Sequence, residues 1–130
     1  MPLTITPITG IPRIRPGDEL VPLLYDACVR NGTGLVDGDI LVVCQKIVSK
    51  SEGRIVYLAD VAPSAWAQHL AAQSNGKDAR IIEVILGETK RIVKMDRGRL
   101  IVETGPGWVC ANAGVDESNT EEPDTVILLP

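Results

Sequence analysis

Aromatic side chains are scarce in this sequence, which has two Trp, two Tyr and no Phe among 130 residues. A protein that stacks the bases of single-stranded nucleic acid needs several exposed aromatic rings, so this class is disfavoured. The net charge of −4 and the isoelectric point near 4.9 point the same way, because nucleic-acid binding needs a basic footprint. We therefore expect no nucleic-acid partner, although a few local cations could still hold a small phosphorylated ligand.

Zinc-binding, disulfide and membrane patterns are also missing. The three cysteines, Cys28, Cys44 and Cys110, are widely spaced and His69 is the only histidine, so they form no zinc set. We interpret Cys44 as a buried small apolar residue and His69 as a packing or surface residue. No apolar run approaches the roughly 20 residues of a membrane helix, and the N-terminus lacks the pattern of a signal peptide. The sequence thus predicts a cytoplasmic protein with no membrane partner.

Hydrophobic residues make up 45% of the chain, enough for the core of one domain over residues 1–130. The patterns predict an α/β fold with a mixed β-sheet and a few short helices. Predicted strands cover residues 3–8, 40–44, 54–58, 91–95, 99–103 and 125–129, and predicted helices cover residues 18–31, 64–75 and 77–86. Asp18 is the expected N-cap of the first helix. Residues 40–44 are apolar throughout, which is typical of a buried central strand.

The first candidate site follows that apolar run. Gln45, Lys46, Ser49 and Lys50 come directly after it, and ligands of open α/β sheets bind at the carboxyl ends of strands. Two lysines and two neutral hydrogen-bonding groups could hold phosphate oxygens. The segment lacks the P-loop pattern, and a solvated loop is the alternative interpretation.

The second candidate site is the polar segment 112–119. Its small residues allow close backbone approach to a ligand, and Asp116 offers an oxygen to a hard cation such as Mg²⁺. Asn119 could donate a hydrogen bond to a base or ribose. The alternative is a polar turn in which Asp116 or Asn119 caps the next element.

A third segment, Ile11, Pro12, Arg13 and Ile14, is held rigid by prolines and could present backbone groups to a flat ligand. The alternative is a simple connector with Arg13 in water. Trp108 is expected to fill a core or a domain interface.

Three blocks of this sequence together resemble the coenzyme F420-0:L-glutamate ligase family, the γ-glutamyl ligases of F420 biosynthesis. The blocks are residues 10–14 (GIPRI), 37–54 (DGDILVVCQKIVSKSEGR) and 109–119 (VCANAGVDESN). They occur in the family's order with compatible spacing, so the resemblance runs along essentially the whole chain.

The resemblance implies a ligase that uses GTP as co-substrate and Mg²⁺ or Mn²⁺ to join L-glutamate to coenzyme F420-0 through a γ-glutamyl link. The implied route is an acyl phosphate: the substrate carboxylate takes the γ-phosphoryl group, and the amine of glutamate displaces it. By the same resemblance, Ile11, Pro12, Arg13, Ile14, Gln45, Lys46, Lys50 and Asn119 contact GTP, and Asp116 is a metal ligand. No catalytic residue is assigned.

Family members continue well beyond the equivalent of Pro130, and the continuation supplies further metal ligands and another GTP-binding stretch. The resemblance therefore implies an incomplete, N-terminal half of a larger ligase fold, inactive on its own. The alternative is a non-catalytic or split-subunit nucleotide-binding module. The resemblance also implies a dimer, and an exposed apolar end at Leu128 and Leu129 would favour either a homodimer or association with a C-terminal half.

Overall fold

A computed structural model describes residues 2–96, 98–118, 120 and 122–130 of the chain. Within these residues the chain has four α-helices, five strands and two short 3₁₀ turns. The helices are α1 (Leu20–Arg30), α2 (Gln45–Ser51), α3 (Ala65–Gln73) and α4 (Ala79–Gly87). The strands are β1 (Ile55–Tyr57), β2 (Thr89–Asp96), β3 (Arg99–Thr104), β4 (Val109–Ala111) and β5 (Thr125–Ile127). The predicted α/β class is confirmed.

The strands pair as two small antiparallel sheets instead of one mixed sheet. One sheet joins β1 to β5, and the other has the order β2-β3-β4. Burial alternates along β3: Leu100, Val102 and Thr104 are buried, while the residues between them are more exposed. This period of two is what a strand with one face on the core requires.

The chain divides into two units, and the boundary lies between Gly53 and Arg54. The second unit contains the hydrophobic core, which α4 supplies most heavily through Ile81, Ile82, Val84 and Ile85. Two polar residues begin its helices: the Ser64 hydroxyl accepts from Ala67 N–H at 3.2 Å, and the Asp78 carboxylate accepts from Arg80 N–H at 2.8 Å. Both are standard N-caps that satisfy backbone donors.

Arg80 connects the start of α4 to the turn before β5. Its guanidinium donates to Asp78 and, through two nitrogens at 2.8 and 2.9 Å, to both carboxylate oxygens of Asp124. The hydrogen bonds to Asp78 and Asp124 raise the pKa of Arg80, and the same contact with Arg80 lowers the pKa of Asp78. This bidentate arrangement fixes the entry to β5.

The first unit buries few hydrophobic residues. Ile14, Ala27 and Cys28 are its buried apolar residues in the described part of the chain. Helix α1 ends where expected, since the side-chain nitrogen of Asn31 donates to the carbonyl of Ala27 at 2.7 Å. Most of the chain's exposed large hydrophobic residues belong to this unit.

The predicted central strand at residues 40–44 is wrong. These residues form no strand, and Ile40 and Val42 are 87% and 88% exposed. The expected loop that follows is also wrong, because Gln45–Ser51 is helical. A strand that is apolar on both faces needs neighbours on both edges and both faces. The described residues provide none of these neighbours for residues 40–43.

Five smaller expectations also fail. Residues 3–8 form no strand, and Asp18 does not cap α1, because its carboxylate instead accepts from Arg15 N–H at 2.7 Å. Cys44 is exposed, and Trp108 is 63% exposed and so fills no core, while its alternative place in a domain interface stays a prediction. The apolar end was expected to be exposed, but Leu128, just after β5, is only 5% exposed.

Among the described residues, no helix combines the length and apolarity needed to cross a membrane.

Candidate functional site

Helix α2 displays two lysines on one side. Lys46 and Lys50 are four residues apart, so their side chains leave the helix as neighbours about 5–6 Å apart at Cβ, and both are half-buried. Two lysines on one side of a helix offer donors and positive charge of the kind that phosphate oxygens accept.

A buried serine orients the helix. Ser49 is fully buried, and its hydroxyl accepts from the side-chain nitrogen of Gln45 at 2.5 Å. Gln45 and Ser49 are also four residues apart, so they share a second side of α2, on which Gln45 is exposed and Ser49 is buried. The side-chain nitrogen of Gln45 therefore already donates one hydrogen bond within α2.

The segment with Ile11, Pro12, Arg13 and Ile14 belongs to the same unit as α2. Ile14 is buried, whereas Pro12 and Arg13 are exposed. Just after this segment, Gly17 N–H donates to the carbonyl of Ser51 at 2.8 Å, at the end of α2. The structure thus attaches the proline segment to the C-terminal end of the helix that carries Lys46 and Lys50.

A left-handed turn links β4 to the second candidate segment. Asn112, Ala113 and Gly114 have φ values of 52°, 54° and 69°. Non-glycine residues rarely adopt this conformation, and it persists only where the surroundings enforce it. Here they do: the side-chain oxygen of Asn112 accepts from Leu100 N–H at 3.2 Å, and Ala113 is 1% exposed.

Asp116 follows this turn and is anchored through its backbone. Its N–H donates to the carbonyl of Ile127 at 2.9 Å, and its carbonyl accepts from Ile127 N–H at 3.0 Å. Because Ile127 is 1% exposed in β5, the backbone of Asp116 is tied to the core. The Cα position from which its half-buried side chain extends is therefore fixed.

The Asp116 carboxylate folds over the next residues. Its Oδ1 accepts from both the N–H and the hydroxyl of Ser118, at 2.8 and 2.7 Å. Part of the alternative interpretation is thereby confirmed, because Asp116 does form a polar turn. The neighbouring Glu117 lies 3.6 Å from Lys77 Nζ, just before α4.

Asp116 fits a magnesium ion as one oxygen ligand of several. Mg²⁺ takes six oxygens and often uses only one or two carboxylates with phosphates and waters. No group of three or more acidic, histidine or cysteine residues within the described ranges is arranged to hold a metal ion.

The predicted site residues fall in both units. Those of the first unit, from Ile11 to Lys50, share α2 and the segment bonded to it, and Asp116 belongs to the second unit. Asn119 lies outside the described residues. His69 is an exposed surface residue, as expected, and its ring stacks on Trp66 with centroids 5.7 Å apart.

Sequence reasoning misses two residues that hold these segments in place. The sequence presents Ser49 as a ligand-binding candidate, yet it is the buried contact of α2. It presents Asn112 as one of several small or polar loop residues, yet the side chain of Asn112 fastens the left-handed turn to β3. Asparagine before Ala-Gly is the available signal, since asparagine tolerates positive φ better than most residues.

The structure thus shows an α/β protein with two lysines on one side of α2 and, in the other unit, an aspartate anchored in a turn. Comparison with known sequences defines the group further. The sequence model of the F420-0:gamma-glutamyl ligase family matches residues 9–130. The chain belongs to this family.

Several relatives carry the name coenzyme F420:L-glutamate ligase. The protein of Methanothermobacter thermautotrophicus is 39% identical over 94% of this chain and 48% of its own length. That of Methanopyrus kandleri is 42% identical over 98% of this chain and 48% of its own. That of Archaeoglobus fulgidus is 38% identical over the whole chain and 49% of its own. This chain spans about half the length of the curated relatives it matches.

Proposed function

We propose that this chain provides one half of a ligase that adds L-glutamate to coenzyme F420-0 through a γ-glutamyl link, with GTP and Mg²⁺ or Mn²⁺. The observation that carries the proposal is the family match across residues 9–130, together with relatives named as ligases at about 40% identity. The other half of the site then comes from a region equivalent to the part of the relatives that this chain does not match.

In this proposal, the first unit holds the triphosphate. Lys46 and Lys50 neutralise phosphoryl oxygens, and the segment from Ile11 to Ile14 presents backbone groups to the nucleotide. An oxygen of the substrate carboxylate attacks the γ-phosphorus, the bond to the β,γ-bridging oxygen breaks, and GDP leaves. The amine nitrogen of glutamate then attacks the acyl carbon, phosphate departs, and the amine loses a proton. Electrostatic positioning dominates such transfers, because negative charge must be shared among fixed cations.

Asp116 is proposed to hold the divalent cation, with Asn119 contributing a further nucleotide contact. The cation, when bound, offsets charge on the phosphates. The backbone bonds between Asp116 and Ile127 support this role, because they fix the origin of the carboxylate on a buried strand.

The test is an assay of glutamate incorporation into F420-0. Residues 1–130 are assayed alone and fused to the part of the Methanopyrus kandleri relative that this chain does not match, with that intact relative as the positive control. We expect turnover from the fusion and none from the 130-residue chain. Turnover by the chain alone would refute the proposed division of the site, and a folded but inactive fusion would refute the ligase assignment.

Matched variants sharpen the assay. In the fusion, Lys50→Gln and Asp116→Asn each remove one charge while keeping a side chain of similar size, and the amide oxygen introduced by Asp116→Asn can still accept from Ser118. Loss of a charged contact to phosphate costs about 1.5–3 kcal/mol, so we expect activity to fall about tenfold to a hundredfold. Lys94→Gln and Asp60→Asn, which change exposed charges elsewhere, are the controls.

A non-catalytic or split-subunit nucleotide-binding module is the second candidate. The family match and the half-length coverage of the relatives favour it over an unrelated domain. It differs in one outcome: the fusion would bind GTP but form no γ-glutamyl product, while a separately encoded half would restore turnover if the enzyme is split.

A further inference from the structure

The segment of residues 40–43 has the composition of a strand but no strand partner in the described part of the chain. Its four residues, Ile40, Leu41, Val42 and Val43, are all apolar, and Ile40 and Val42 are almost fully exposed. No backbone group of these residues bonds to another residue in the described ranges. Both flanks are bonded: Asp39 N–H donates to the carbonyl of Val36 before the segment, and Ile47 N–H donates to that of Cys44 after it.

Apolar side chains on both sides of this segment define the environment it needs. Successive side chains of a strand point to opposite faces, so a strand with one wet face alternates apolar and polar residues. Residues 40–43 do not alternate. A strand of this composition is normally internal to a sheet, with covering layers on both faces.

Few residues of the first unit are available to cover the segment. Its buried apolar residues within the described chain are Ile14, Ala27 and Cys28, and two are on α1. A second copy of the chain pairing through the same segment would give a ribbon with both faces still open. The part of the relatives that has no counterpart here is as long as the chain itself, and is large enough to bring both neighbouring strands and covering layers.

We propose that residues 40–43 are the docking strand of this chain, and that they become an internal strand of a sheet completed by the family half that the chain does not match. The inference rests on the proposed function for the existence of that half, but it concerns assembly and does not require turnover. Asp39 and Cys44 mark its limits, because their backbone bonds already close the turns on either side.

Hydrogen exchange by mass spectrometry tests the proposal. In the 130-residue chain we expect the amides of residues 40–43 to exchange at nearly the unfolded rate, at any protein concentration. In the fusion to the unmatched part of the Methanopyrus kandleri relative, we expect exchange to slow at least about a hundredfold, as for amides of core strands. Amides inside α4 serve as the internal reference, because they lie in the core of the second unit.

Each other outcome overturns the proposal. Concentration-independent protection in the chain alone would mean that the segment pairs within this chain. Protection that grows with concentration would identify a second copy as the partner. Fast exchange in a fusion that is folded and protected elsewhere would show that the complementary half does not use this strand. Activity is not read in this experiment, so an inactive fusion with protected residues 40–43 supports docking while refuting the ligase proposal.

A proline variant tests the same point without a partner. Proline removes a backbone donor and disrupts any internal strand. Val42→Pro should leave the thermal unfolding of the 130-residue chain unchanged, whereas Ala27→Pro, in the buried middle of α1, should abolish protection of that helix. A large loss of structure from Val42→Pro in the isolated chain would contradict the proposal.

Discussion

Gly114→Ala tests the geometry that precedes Asp116. Gly114 has a φ of 69°, and a Cβ added there would lie 2.6 Å from Cγ of Leu129, with both terminal methyl carbons within 2.8 Å. The left-handed backbone costs an alanine about 1–2 kcal/mol. The clash adds about 1–3 kcal/mol, because Cγ cannot retreat without moving the whole leucine side chain. We therefore expect a loss of about 2–5 kcal/mol in the free energy of unfolding, and a fall in Tm of roughly 10 °C or more.

Thermal and urea unfolding, followed by far-ultraviolet circular dichroism, measure this loss. Gly76→Ala is the matched control, because Gly76 also has a positive φ, of 83°, but no atom lies within 4 Å of its added Cβ. It should show only the conformational cost. Leu129→Ala removes the clashing atoms. The double variant with Gly114→Ala should therefore lose less free energy of unfolding than the sum of the losses of the two single variants. Equal losses for Gly114→Ala and Gly76→Ala would refute the argument.

Three further predictions concern stability and reactivity. Acid should destabilise the second unit, because hydrogen bonds to Arg80 lower the pKa of Asp78 and a bond from Ser64 lowers that of Glu83. The stability that these carboxylates add above their unfolded pKa is lost as pH falls through the folded values, and unfolding measured from about pH 7 to pH 2 checks this. Ser64→Ala should lower the free energy of unfolding by about 1 kcal/mol through loss of the α3 cap, measured by urea titration against wild type. A thiol reagent should modify exposed Cys44 quickly and Cys28, 1% exposed, only on unfolding, as peptide mapping over time would reveal.

Elements whose apolar residues pack against partners within the same unit are predictable from the sequence. Helix α4 has apolar residues at helical spacing after an aspartate cap, and β3, which pairs with β2, buries every second residue. In both cases the partners lie close by in sequence or within the same unit. Local pattern and local packing therefore agree.

Elements whose partners lie far away or outside the chain are not predictable in this way. Residues 40–44 have the pattern of a central strand. Such a strand needs neighbouring strands and covering layers, and the described chain does not supply them. Helix α2 resembles a loop in sequence because most of its residues are polar. Its one fully buried residue, Ser49, is itself polar and small. Serine has no strong preference that would reveal such a role.

The candidate site is predictable in residue type but not in geometry. Lysines at positions 46 and 50 become neighbours only because the segment is helical, a fact the sequence interpretation misses. The double backbone bond between Asp116 and Ile127 depends on a left-handed turn, which propensities of individual residues do not reveal.

Calorimetric titration of GTP with Mg²⁺ tests the central claim most directly. The titrated proteins are the fusion of residues 1–130 with the other family half, its Lys50→Gln variant and its Lys94→Gln variant. We expect GTP to bind the fusion, Lys50→Gln to weaken the affinity by about tenfold or more, and Lys94→Gln to leave it unchanged. Equal affinity in all three proteins, or no binding to the folded fusion, would contradict the proposed role of Lys50 and of this chain in GTP binding.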